Sequence, residues 1–170
     1  MTIADIDDRF PLPAQADRDE PLRPGDPVIL PLADGGSVAV GAGVVNADAE
    51  AAYAWGHCHA LARALLELAS DRWALAWFGS RECWCGRRAR RDCECQVEHV
   101  AVVRDSLVLD ITGLWAVDRP GPREFETGPV PMTAALWSAI CESPHWVATD
   151  IEPARLFAAA LAKLEPVLLR

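Results

Sequence analysis

A chain of 170 residues fits one domain, and its 51% hydrophobic and 24% charged residues are ordinary for a protein with a real core. A formal net charge of −9 argues against a general nucleic-acid binder, because phosphate binding needs a basic face. No apolar run approaches the roughly 20 residues that span a bilayer, and Met1 to Asp8 carry neither the basic nor the apolar region of a secretory signal. The expected location is therefore the cytoplasm, or outside by an export route without a cleavable signal. In a reducing cytosol the six cysteines read as thiols or metal ligands before disulfides.

Residues 1–27 hold five prolines and seven acids against three arginines, and read as a meandering arm laid over a single domain of residues 28–170. Val28-Ile29-Leu30 and Ser37 to Val40 flank the turn signal Ala33-Asp34-Gly35-Gly36, which predicts a short hairpin. From Asn46 the pattern turns helical and stops near Gly56. A second helix starts at about Cys58 and runs to Ala69, with Leu61, Leu65 and Leu68 recurring at helical spacing. Trp73 to Phe78 is a strand by composition and length, and residues 79–96 are a charged, cysteine-rich loop. Val97–Arg104 and Leu107–Thr112 read as two strands joined at Asp105-Ser106, and residues 119–131 as loop. Thr133–Glu142 and Glu152–Leu164 read as helices, with Pro153 at an early position that proline tolerates. The sum is α+β, helices packed on a small antiparallel sheet.

Cys58 falls at the start of its helix, where unpaired N–H groups and the positive end of the helix dipole favour a thiolate and an oxyanion. Gly56 permits a tight entry into that helix. If Asp105-Ser106 is a two-residue hairpin loop, Arg104 faces Leu107, Ala101 faces Asp110 and His99 faces Thr112. His99, Ala101, Asp110 and Thr112 then share one sheet face, with His99 and Asp110 diagonal neighbours at roughly 7–8 Å. The other face carries Val100, Val102, Leu107, Leu109 and Ile111. Taken singly, a helix cysteine is a small core residue and a strand histidine a satisfied polar group. Order and register together point to chemistry. His57 and His59 flank the cysteine, and could with it complete a Cys/His metal site instead.

Gly56-x-Cys58-His59-Ala60-Leu61-Ala62, then His99-Val100-Ala101-Val102, then Leu109-Asp110-Ile111-Thr112-Gly113, resembles the papain-like (and transglutaminase-like) superfamily. It looks most like small bacterial proteases and toxin-type glutamine deamidases, over about residues 50–118. The resemblance implies a papain-like fold, with a helix bearing the cysteine packed on a sheet bearing His and Asp. It implies Cys58 as nucleophile, His99 as general base and acid, and Asp110 as the residue orienting the imidazole. The implied activity is that of a hydrolase or acyl transferase on an amide, a protease or glutamine deamidase with a protein or peptide substrate. No Gln or Asn lies between Ala47 and His57 to donate to an oxyanion, so that donor falls to backbone or elsewhere. Trp55, Gly56, His57 and Trp115 are the expected walls of a substrate cleft.

Cys83-Trp84-Cys85 and Cys93-Glu94-Cys95 are two Cys-x-Cys pairs on the arms of one loop, able to converge four sulfurs on a metal ion. We favour a structural Zn²⁺ held by Cys83, Cys85, Cys93 and Cys95, over disulfides or free thiols, and expect no organic cofactor. Between the pairs, Arg87-Arg88-Ala89-Arg90-Arg91 is a solvated face or a docking patch for an acidic partner. A non-catalytic, zinc-stabilised binding protein on the same scaffold is the alternative function.

Overall fold

The computed structural model describes residues 2–12, 25–32, 34–83, 85, 93–118, 124–144, 146–148 and 150–169. Its first element departs from the irregular arm expected of a proline- and acid-rich segment. Helix α1 spans Ile3–Arg9, started by a capping box in which the Thr2 hydroxyl accepts from the Asp5 amide and the Asp5 carboxylate accepts from the Thr2 amide. Ile6 and Phe10 are buried and anchor it to the core. Strands β1 (Pro27–Pro31) and β2 (Ser37–Gly41) form a separate antiparallel hairpin, pairing Pro27 with Gly41 through Pro31 with Ser37. Helix α2 (Ala47–Ala54) begins where Asn46 accepts from the Ala49 amide. Helix α3 follows at Cys58–Leu68, and Cys58 through Leu66 are all buried.

The main sheet has five antiparallel strands. In chain order these are β3 (Ala74–Gly79), β4 (Val97–Arg104), β5 (Leu107–Asp110), β6 (Gly113–Ala116) and β7 (Thr127–Pro131). Their spatial order is β6-β5-β4-β3-β7. The loop at Asp105-Ser106 sets the register expected of it, with Arg104 opposite Leu107 and Val102 opposite Leu109. Two strands differ from the sequence expectation. The run 107–112 breaks after Asp110, because the Asp110 carboxylate accepts the Thr112 amide and hydroxyl at 2.8 and 2.6 Å and closes a turn into β6. The run 119–131 is not all loop: its end pairs with β3, and its prolines are tolerated because β7 is an edge strand. Val97, Val100, Val102 and Leu109 face the main core with α3. Ala101 and Val108 join Phe78 in a small second cluster on the other face. Helices α4 (Ala134–Glu142, capped by Thr133) and α5 (Ile151–Leu164, capped by Asp150) complete the core, α5 lying against α3. The architecture is mixed α+β.

A charged side chain lies within this core. Arg63, on α3, is 3% exposed; its Nε donates to the Phe10 carbonyl at 2.7 Å, and its other nitrogens pair with Asp7 and Glu67. Glu67 also holds Arg155 of α5, at 2.8 Å. The network ties α1 and α5 to adjacent turns in the C-terminal half of the helix that carries Cys58. A buried charge is tolerated only when so paired. Arg63→Leu should therefore lower the unfolding free energy by about 2–4 kcal/mol, read by urea denaturation. A loss under about 1 kcal/mol would show the network to be a surface ornament.

Candidate active site and cysteine cluster

Gly56 turns the chain into α3 with φ of 83°, and a Cβ there would lie 3.0 Å from Val147 Cγ2, so both backbone and space call for glycine. His57 follows as N-cap without a side-chain cap, and its Nε2–H donates instead to the Pro31 carbonyl at 2.7 Å. The ring is thereby drawn inward against the hairpin, and not onto the cleft expected for it. Cys58 is the first residue of α3 and is 1% exposed. His59 is buried between Trp137 and Trp146, with ring centroids 6.0 and 5.3 Å away. Among the described residues, the cysteines of the 79–96 loop are the only group of three or more metal-ligating side chains that converges, so no metal site forms from Cys58 with His57 and His59.

The structure brings His99 and Asp110 together: Nε2–H donates to Oδ2 at 2.8 Å, both groups buried. The remaining oxygen of Asp110 is held by Thr112, and Trp115 Nε1 donates to Oδ2 at 3.4 Å. Trp115, expected as a cleft wall, thus serves the carboxylate, with its ring 5.5 Å from Phe78. His99 sits beside a β-bulge. Phe78 pairs with His99 but Gly79 pairs with Val97, so Glu98 is the extra residue. Only glycine fits at 79, where a Cβ would meet the Gln96 carbonyl oxygen at 1.8 Å. Phe125 stacks on His99, centroids 5.8 Å apart and planes within 7°. Nothing in the sequence pointed to Phe125, which lies in a segment without periodicity.

Burial opposes charge on His99, yet the bond to Asp110 and the neighbouring Cys58 sulfur outweigh it and raise the imidazole pKa to about 9. Nδ1 makes no hydrogen bond of normal geometry and is the ring nitrogen left for Cys58. For Asp110, burial is outweighed by His99 and Thr112, and its pKa is lowered. His59 goes the other way: burial, then the charge of His57, push it down to about 3.

The two shifts have opposite consequences. Raised above 6.5, His99 contributes stability that is full below about pH 6.5 and is lost as pH rises through about 9. Lowered below 6.5, His59 stays neutral while the unfolded chain protonates, so stability falls as pH drops from about 6.5 toward 3. Unfolding free energy should peak near pH 6.5. Asp110→Asn should flatten the alkaline limb, and His59→Leu the acid one. Urea titrations at pH 5, 6.5 and 9.5 check this; limbs unchanged in the variants would refute both assignments.

Two cavities meet at Trp55 and Gly56. One of about 520 Å³ lies toward the hairpin, lined by Leu32, Val38, Ala51, Ala52 and Val147, with Asp48 the only charged residue of its lining among the described residues. The other, about 210 Å³, lies toward the start of β4, lined by Val97, Glu98, Glu94, Cys95, Ser80, Ser143 and Trp146. Trp55 is 69% exposed on the ridge between them.

Cys83, Cys85, Cys93 and Cys95 bring their sulfurs within 4.8 Å of one another and could hold a metal ion. None is in a disulfide; neighbouring sulfurs are 2.8 Å (83 to 85 and 83 to 95), 3.2 Å (93 to 95) and 3.6 Å (85 to 93) apart. Hydrogen bonds with Cys85 and Cys95 raise the pKa of Cys83, and burial foremost raises that of Cys93. Gln96 roots the cluster, accepting from the Cys93 amide at 3.3 Å and donating to the Arg81 carbonyl at 2.9 Å. Three residues on stands His99. The arginine run 87–91 lies outside the described residues.

No family model, curated protein sequence or solved structure matches the chain. No helix among the described residues is long and apolar enough to cross a membrane.

Proposed function

We propose that the protein is a papain-like, cysteine-nucleophile hydrolase or acyl transferase acting on an amide, a protease or glutamine deamidase, through Cys58, His99 and Asp110. The observation that carries this is the state of His99. Its Nε2–H is bonded to a buried carboxylate, its pKa is raised to about 9, and Nδ1 is left toward the sulfur of a helix-start cysteine. A ring so held is charged at neutral pH, and it is the partner with which a cysteine stands as the attacking thiolate.

In this reading Cys58 Sγ attacks the amide carbonyl, and the first-turn N–H groups of α3 receive the oxyanion. Nδ1–H then protonates the departing nitrogen as the C–N bond breaks, leaving a thioester on Cys58. His99 next takes a proton from water, or from an acceptor amine, as it attacks the thioester; the C–S bond breaks, Cys58 leaves as thiolate, and the thiolate–imidazolium pair is restored. Asp110 keeps Nε2 protonated and the ring aligned, and the peptide or protein substrate enters along the Trp55 ridge. The donor set of the cysteine cluster suits structural Zn²⁺. Four sulfurs at Zn–S of about 2.3 Å in a tetrahedron stand about 3.8 Å apart, so these need spread by no more than about 1 Å. The ion would supply a cross-link at the root of β4 and no step of the reaction.

Iodoacetamide at neutral pH followed by peptide mapping tests the proposal. Cys58 should be alkylated ahead of Cys141, whose thiol burial pushes up to about 11. Cys58 reacting no faster than Cys141 would remove the nucleophile. That outcome would favour the second reading, a non-catalytic zinc-stabilised binding protein, which the near-complete burial of Cys58 and His99 supports.

A further inference from the structure

The β-bulge that places His99 also decides where Glu98 goes. As the unpaired extra residue it leaves the alternation of β4, is exposed, and lines the cavity of about 210 Å³ beside Gly56. Glu94 stands on the same wall, its carboxylate 3.4 Å from the Cys93 sulfur that donates to it. The rest of the lining is Gly56, Trp55 and Trp146, two hydroxyls (Ser80 and Ser143), Val97 and Cys95; among the described residues no cationic side chain lines it. Carboxylates beside indole faces suit a cation, which gains charge pairing from the first and cation–π attraction from the second. The volume is that of one side chain and not of a whole small molecule. A chain of net charge −9 adds a field that draws cations toward it.

We propose that this cavity is a specificity subsite for a cationic side chain of the substrate, arginine or lysine, with Glu98 its principal recognition group. It deepens the amide-cleaving reading and rests on it only for the word substrate, since Gly56 is two residues before Cys58 and Glu98 one before His99. The apolar cavity of about 520 Å³ across the Trp55 ridge is not part of this subsite.

Binding of Nα-acetyl-arginine amide against its neutral isostere Nα-acetyl-citrulline amide, followed by tryptophan fluorescence of the full chain, tests it. The arginine compound should bind roughly tenfold tighter or more, with the preference shrinking as salt rises. Glu98→Gln should lose most of that preference and leave citrulline binding unchanged; Glu94→Gln should lose part of it. Equal binding of the two compounds, or a preference intact in Glu98→Gln, overturns the subsite. The readout is binding and not turnover. A chain whose Cys58 proves inert can still pass this test, and a reactive Cys58 can accompany its failure.

Discussion

His99→Ala should slow alkylation of Cys58 by iodoacetamide at pH 7 by roughly 10- to 30-fold. An unassisted thiol with the ordinary pKa of about 8.5 is only about 3% thiolate at pH 7, whereas one paired with an imidazolium is almost wholly so. The gain is trimmed because a thiolate made more stable is also a weaker nucleophile. The ring concerned is 2% exposed, bonded to Asp110, and raised to about 9, so it carries its proton throughout the neutral range. Asp110→Asn should give a smaller loss at pH 7, since the ring remains but its charge loses the buried partner. The pH profile separates these effects from damage to the fold. Wild-type alkylation should exceed that of His99→Ala across pH 6 to 8, the range in which His99 keeps its proton. On an amide substrate His99→Ala should lose about 10³-fold or more in kcat, because the proton donor for the leaving nitrogen is gone. Alkylation equally fast in wild type and His99→Ala would make Cys58 a core thiol.

How far the sequence reaches is set by how local the determining physics is. His99 and Asp110 could be placed on one face because a two-residue loop fixes register and strand side chains alternate, and both rules act within a dozen residues. The starts of α2 and α4 were legible for the same reason, since Asn46 and Thr133 bond to amides three positions on. The strand β7 was not, because Pro129 and Pro131 argue against a strand unless its edge position is already known. The bulge was hidden because Gly79 accepts the close carbonyl of Gln96 only once β3 and β4 have met. His57 looked free for the cleft, and its partner is a carbonyl on β1, 26 residues earlier. Arg63, the one arginine in a run of apolar helix, reads as a defect until α1 and α5 close on it. In each miss the deciding partner is distant in the chain. The chemistry-bearing pair was legible because it is a hairpin pair.

Purified chain should carry one zinc ion, measured by plasma mass spectrometry; Cys93→Ser should lose it and Cys58→Ser should keep it. The four sulfurs already lie within 4.8 Å of one another, so binding needs little rearrangement beyond release of the thiol protons. The expected effect on stability is large. Zinc at about a thousandfold over its dissociation constant adds about 4 kcal/mol, which for a chain of this size is about 8–16 °C of melting temperature. Removing the ion with a chelator should lower the melting point by that amount, and zinc but not magnesium should restore it, as thiolate ligands select. The effect should also reach the thiol. Cys95 is followed by Gln96, whose side chain holds the Cys93 amide and the Arg81 carbonyl, and then by the bulge that sets His99. With the cluster released, that bulge loses its upstream anchor, and Cys58 alkylation at pH 7 should fall toward the His99→Ala rate while the sheet survives. A melting point indifferent to chelator, or zinc that stays in Cys93→Ser and leaves with Cys58→Ser, would remove the structural ion and return the loop to four free thiols.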